Sequence, residues 1–139
     1  MVTKEDLPYI LSDVLDRTAV IEKVKILNYV LTHSRGLQPS ATLQIQIQEE
    51  IFEESAQGDG QYDAFMNALK KALNKKRVEV PELLDYLVRI PPGGKTDALC
   101  ETIITWNIDG KSTKTRGLDS DQTVSAIEAT QKMLNLISL

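Results

Sequence analysis

Apolar and polar residues alternate strictly in Leu43-Gln44-Ile45-Gln46-Ile47-Gln48, putting three aliphatics on one face and three glutamines on the other. A period of two is the mark of a half-buried antiparallel strand. Further along, Phe65, Met66, Ala68, Leu69, Ala72 and Leu73 recur at helical spacing with lysines opposite, which predicts a helix laid on a sheet. Between the two patterns stand Ile51 to Gln57, read as another strand reached through a turn at Glu49-Glu50, and then the bend Gly58-Asp59-Gly60. Upstream, Lys23 to Arg35 is rich in strand formers (Val24, Ile26, Tyr29, Val30, Leu31, Thr32), and Gly36 to Ser40 supplies turn residues. The order is strand, strand, strand, helix.

Lys75-Lys76-Arg77 and Pro81 break the helical pattern, and the plan then repeats. Ile26-Leu27-Asn28-Tyr29 is echoed by Leu83-Leu84-Asp85-Tyr86 at a spacing of 57, which also relates Gly36 to Gly93 and Ala41 to Ala98. Leu99 to Ile108 is the second strand of the new unit, Asp109-Gly110 a hairpin turn, and Lys111 to Gly117 the third strand. The spacing grows to 61 for Gln61 and Gln122, Met66 and Ile127, Ala68 and Ala129, and Leu73 and Leu134, as a few inserted residues in the second hairpin would produce. One such unit leaves a three-stranded sheet and one helix stripe with too little core, so the two should pack together. The expected fold is α+β: tandem duplicated βββα units, about 23–76 and 80–138, with antiparallel sheets packed on two helices. Ahead of them, Thr3 and Asp6 can cap a short N-terminal helix striped by Leu7, Ile10, Leu11, Val14 and Leu15. Residues 1–20 thus read as an appended helix and 21–139 as the main domain.

Composition narrows the function. The 139 residues, 42% hydrophobic, suffice for one folded domain with a real core. A net charge of −4 argues against a nucleic-acid surface, and Lys70, Lys71, Lys75 and Lys76 read as a solvated helix face and partners of the helix C-terminus. The single cysteine, Cys100, excludes an internal disulfide and points to a reducing compartment; with no run long enough to span a bilayer, the cytoplasm is expected and a membrane role is not. No base is arranged around Cys100, no ligand spacing surrounds the only histidine, His33, and no phosphate loop is present, so neither an enzyme nor a metal site is expected of this chain alone. Trp106 and Tyr29 suit the core or a dimer interface.

The candidate chemistry lies where the helices begin. Free N–H groups and the positive end of the helix dipole meet after Gly58 and Gly60, next to the acid Asp63. Such a corner can hold both a carboxylate and an ammonium group, as a free amino acid carries. Gly117-Leu118-Asp119-Ser120-Asp121-Gln122 is the pseudo-equivalent bend, where Leu118, Ser120 and Gln122 could offer N–H groups or an amide to a carboxylate. Plain structural roles compete at each place: glycines as turn residues, Asp63 as a dipole partner, and Asp119 or Ser120 as a helix cap.

The loop Gly58 to Ala64, the strand Leu84-Asp85-Tyr86, the segment Thr96-Asp97-Ala98-Leu99 and the close Arg116-Gly117-Leu118 before a last helix resemble the regulatory domain of 2-isopropylmalate synthase and citramalate synthase. The resemblance covers about Lys23 to the C-terminus; Gln61 and Cys100 stand where that family often has Pro and Gly. It implies an allosteric module that forms a homodimer and binds leucine or isoleucine at the subunit interface. Beside Gly58, Gly60 and Asp63, the resemblance adds Tyr62 as a pocket wall. It also adds Leu83, Tyr86 and Ile90 as strand residues lining the effector site, with Ala98 and Cys100 leaving room for a side chain. It further implies a catalytic barrel elsewhere in the parent chain, condensing acetyl-CoA with a 2-oxo acid on a divalent metal, and no cofactor in this part. The first helix then resembles the remnant of a linker subdomain.

Overall fold

The computed structural model describes residues 23–90, 99–137 and 139. The expected N-terminal helix and Ala98 lie outside them. The described chain runs β1 (Val24–Thr32), β2 (Ser40–Ile47), β3 (Glu50–Gln57), α1 (Gln61–Asn74), β4 (Glu82–Arg89), β5 (Cys100–Ile108), β6 (Lys111–Asp119) and α2 (Gln122–Leu134). This is the βββα plan twice over, as two antiparallel three-stranded sheets ordered β1-β2-β3 and β4-β5-β6.

The duplication is visible in the irregularities as well. The β1–β2 register slips between Ile26 and Asn28, and the β4–β5 register slips between Leu83 and Asp85, at the same place in the repeat. Each bulge reverses which side chains face inward. The hairpins differ: β5 and β6 turn through Asp109 and Gly110, both at positive φ (52° and 81°), the two-residue turn that the strand twist favours. The β2–β3 turn falls at Gln48-Glu49, one residue earlier than the charge pair suggested, with Gln48 at φ 58°.

The alternation in β2 sets the first half of the core: Ala41, Leu43, Ile45 and Ile47 are buried, while Thr42, Gln44 and Gln46 face outward. Across them lies α1, whose Phe65, Met66, Ala68, Leu69, Ala72 and Leu73 are all buried. Its lysines do face outward: Lys71 Nζ donates to the Ser55 carbonyl, while Lys75 and Lys76 pair with Glu54 and Glu50. In the second half, Ile104 and Trp106 of β5 are fully buried beneath Ile127, Met133 and Leu134 of α2, and Trp106 Nε1 donates to Thr115 Oγ1 at 2.8 Å. Trp106 is therefore core, whereas Tyr29 is half-buried with its ring edge-on to Phe65 at 5.9 Å. His33 is exposed just past the end of β1.

One cluster joins the two halves. The side-chain amide of Gln131 on α2 takes up both the Ile26 N–H and the Val24 carbonyl of β1, each at 2.7 Å, and Asn135 Oδ1 accepts from the Val24 N–H at 3.3 Å. A helix of the second unit thus finishes the open edge of the first unit's sheet.

Candidate functional site

Both helix starts sit against a third strand, held there by a glycine. Gly58 is buried, and a Cβ on it would stand 2.5 Å from the Ala64 nitrogen. Gly117 is buried within β6, with its would-be Cβ 1.8 Å from the Ser125 carbonyl oxygen. At both, a side chain would push the helix off the sheet, so these glycines set how closely helix and strand approach. Gly60 has open space where a Cβ would be and serves as the residue that begins α1.

The two starts differ in how their N–H groups are used. No side chain caps α1, and Asp63 turns back so that its Oδ2 accepts from the Asp59 N–H at 3.0 Å. In α2 the cap is Asp121, not Asp119 or Ser120: its Oδ1 accepts from the Thr123 and Val124 N–H groups at 2.8 and 3.0 Å. Asp119 Oδ2 accepts in turn from the Asp121 N–H at 2.8 Å. The Leu118 N–H is taken by Glu128 at 3.0 Å. The protein thus caps the second start with its own carboxylate, whereas at the first start the Asp63 carboxylate bonds the Asp59 N–H and caps no N–H of the helix.

Between the starts runs a chain of hydroxyl and amide groups. Tyr62, in the first turn of α1, shares a hydrogen bond with Thr130 Oγ1 of α2 at 2.7 Å, and its ring meets Phe65 and Tyr86 at 6.4 and 5.7 Å. Thr130 Oγ1 also donates to the Ala126 carbonyl. The side chains of Gln122 and Thr102 lie beside the Tyr86 hydroxyl, and Thr102 hydrogen-bonds Ser125 in the interior. Burial pushes the Tyr62 phenol far above its ordinary range, against the opposing pull of Thr130 and with Tyr86 adding to the rise. Tyr86 and Tyr29 are raised too, again chiefly by burial, and for Tyr29 also by Asp119, Asp121 and Glu128. These phenols stay protonated donors at neutral pH.

Of the residues singled out from sequence, Gly58, Gly60, Tyr62 and Asp63 come together at the α1 start, and Tyr62 touches Tyr86 across the seam to the second sheet. Gln122 joins them through Tyr86. Leu83 and Ile90 lie on and just after β4, with 39% and 64% of their surface exposed. Cys100 opens β5, its sulfur 4.0 Å from the carbonyl oxygen of exposed Ser120, while Leu118 lies exposed on the far face of β6, opposite Glu101. Two open hollows of about 430 and 560 Å³ lie elsewhere, by Lys70, Asn74 and Val80 and by Pro81 and Ile137. They sit at the far end of α1, away from the polar seam. Thr102, Ser125 and Thr130 belong to the seam without having been foreseen; polar residues on the buried face of α2 were the available signal.

Among the described residues, no group of histidine, cysteine and carboxylate side chains could hold a metal ion, and no helix is long and apolar enough to cross a membrane.

A family model described as the LeuA allosteric (dimerisation) domain matches residues 1–138. The chain is 32% identical over 115 residues to the 2-isopropylmalate synthase of Aquifex aeolicus, covering 82% of this chain and 21% of that protein. To the 2-isopropylmalate synthase of Methanocaldococcus jannaschii it is 33% identical over 138 residues, covering 98% and 26%. A protein of Methanosarcina mazei named as a candidate (R)-citramalate synthase is 30% identical over 137 residues, covering 96% and 27%. The chain therefore spans about a quarter of the length of the relatives it matches. With the βββα duplication in place, the match along nearly the whole chain settles the family: this chain belongs to the LeuA allosteric (dimerisation) domains, the regulatory domain of 2-isopropylmalate and citramalate synthases.

Proposed function

We propose that the domain forms a homodimer, binds leucine or isoleucine, and through it exerts feedback inhibition on a cytoplasmic 2-isopropylmalate or citramalate synthase. The observation that carries the reading is the uncapped start of α1, where N–H groups, Gly60, the Asp63 carboxylate and the tyrosine seam converge. The effector carboxylate takes the place at α1 that Asp121 fills at α2, and its ammonium group approaches Asp63. Leu83, Tyr86, Ile90, Ala98 and Cys100 would border the aliphatic branch, with Leu118, Ser120 and Gln122 beside them. The catalytic barrel, its divalent metal and its acetyl-CoA belong to the rest of the parent chain in this reading, and no turnover is expected of this domain alone.

The mechanism is linkage. An effector that binds one arrangement of the two subunits better than another shifts the population toward it, and so biases whatever is attached. Burying a branched aliphatic side chain contributes about 2 kcal/mol, and one methylene separates valine from its larger relatives, a difference of about 1 to 3 kcal/mol.

A structural dimer without an effector is the second reading, favoured by the way Asp121 occupies α2 and Asp63 spends one oxygen on Asp59. Thermal unfolding separates the two. An effector held at a hundred times its dissociation constant stabilises by about 2.7 kcal/mol through mass action, whereas an inert dimer melts at the same temperature with or without leucine and isoleucine.

A further inference from the structure

Thr130 and Gln131 are neighbours on α2, and each holds a different part of the first unit. The Thr130 hydroxyl has one hydrogen, which goes to the Ala126 carbonyl at 2.8 Å, so it meets the Tyr62 phenol at 2.7 Å as the acceptor and Tyr62 donates. The phenol oxygen is thereby fixed from the second unit, while its ring lies against Phe65 and Tyr86. One residue on, the Gln131 amide holds the Ile26 N–H and the Val24 carbonyl at the head of β1, both at 2.7 Å. Asn135, one turn later, accepts from the Val24 N–H and donates to the Gln131 carbonyl at 3.2 Å.

What these two residues hold differs in kind. Tyr62 lies in the first turn of α1, beside Asp63 and two positions after Gly60. Val24 begins β1, and residues 1–20, which resemble the remnant of a linker, lead to it in sequence. One short piece of α2 thus reaches the α1 start with one side chain and the head of β1 with the next. A helical turn is closed by its own backbone hydrogen bonds and moves as a piece, so Thr130 and Gln131 do not shift independently. Both ends of the link are directional hydrogen bonds, which weaken steeply once misaligned and so give the seam a made state and an unmade one.

We infer that Thr130 and Gln131 couple the α1 start to the head of β1, so that an effector which fixes Tyr62 also tightens the hold of α2 on Val24 and Ile26. The inference rests on the effector reading above and adds the route by which occupancy leaves the site. Thr130 is a positioning residue in it, because it acts through Tyr62. The coupling is linkage: whatever favours the seated Tyr62 favours the made seam, and the made seam in turn keeps the wall of the site in place for the effector.

Amide hydrogen exchange of the 139-residue chain, with and without leucine and isoleucine at saturation for each form, is the test. The amides of Leu43 to Ile47, in the buried central strand, open with the whole domain and slow by mass action on any binding, so they report occupancy. In the wild type the Ile26 amide should slow at least threefold as well. Thr130→Val should keep the slowing at Leu43 to Ile47 and lose it at Ile26, and Thr130→Ser, which keeps the hydroxyl, should restore it. If Thr130→Val does not fold, Tyr62→Phe removes the same bond from the other side and carries the same expectation. Slowing at Leu43 to Ile47 with Ile26 unchanged in the wild type overturns the coupling alone, as does slowing at Ile26 that survives loss of the bond. No slowing anywhere in the wild type overturns the effector reading on which the coupling rests.

Discussion

Replacing Gln131 by Met isolates the bond between the two units. Methionine keeps the length and the apolar stem of the side chain but can neither accept from the Ile26 N–H nor donate to the Val24 carbonyl, both now held at 2.7 Å. Each neutral hydrogen bond contributes about 1 kcal/mol net, and stranding a fully buried backbone group costs about 1 to 3 kcal/mol. These bonds are only partly buried, so water can reach part of the edge and the lower figure applies to each. The loss is then about 2 kcal/mol. With an unfolding entropy of about 2.1 cal/mol/K per residue, a chain of this length should melt about 7 °C lower. Urea unfolding followed by circular dichroism gives the free energy, and amide exchange locates it: Ile26 should lose protection before Leu43 in the central strand does. A melting temperature within about 2 °C of wild type would refute the view that α2 finishes the first sheet.

Two further predictions follow from packing and burial. Gly117→Ala places a methyl group where the Ser125 carbonyl now lies, 1.8 Å away, so the domain should lose about 3 kcal/mol or more, read by thermal unfolding; Gly60→Ala, with open space at that point, should be far milder. Stability should also fall at alkaline pH. The folded-state phenols of Tyr29, Tyr62 and Tyr86 are raised above the ordinary value near 10, so the stability they contribute is complete below pH 10 and is lost as pH climbs from there through the folded values. Tyr62→Phe removes the most strongly raised of the three, so the melting temperature of that variant should decline less steeply between pH 10 and 12. An unchanged slope would contradict the burial argument.

Local periodicity made the elements legible. The glutamine-aliphatic alternation of β2 and the apolar stripe of α1 each have one satisfactory reading, and both hold except at Gln48, which falls in the turn after β2. The repeat was legible too, because spacings of 57 and 61 tie together residues of like kind, and the helices do begin at Gln61 and Gln122. The uneven pattern of Leu83 and Tyr86 has its cause in the bulge, which sets both on one face. Long-range polar contacts left no local trace. Gln131 lies 105 positions from Ile26, and nothing near it in sequence marks it as the clamp of β1. The cap of α2 was misplaced by a short distance because Asp119, Ser120 and Asp121 are all good caps. Only the backbone turn decides that Asp121 aims at Thr123 and Val124, while Asp119 supports Asp121. The near symmetry of the two bends in sequence hid their main difference, that one helix start is capped by a carboxylate and the other by no side chain.

Calorimetric titration of the domain with leucine, isoleucine and valine, run alongside Asp63→Ala, tests the sensor reading most directly. It predicts saturable binding of leucine or isoleucine, weaker binding of valine, and an Asp63→Ala variant that loses affinity while its melting temperature changes little. No heat of binding with any of the three, or losses of affinity and stability in equal measure in the variant, would contradict it.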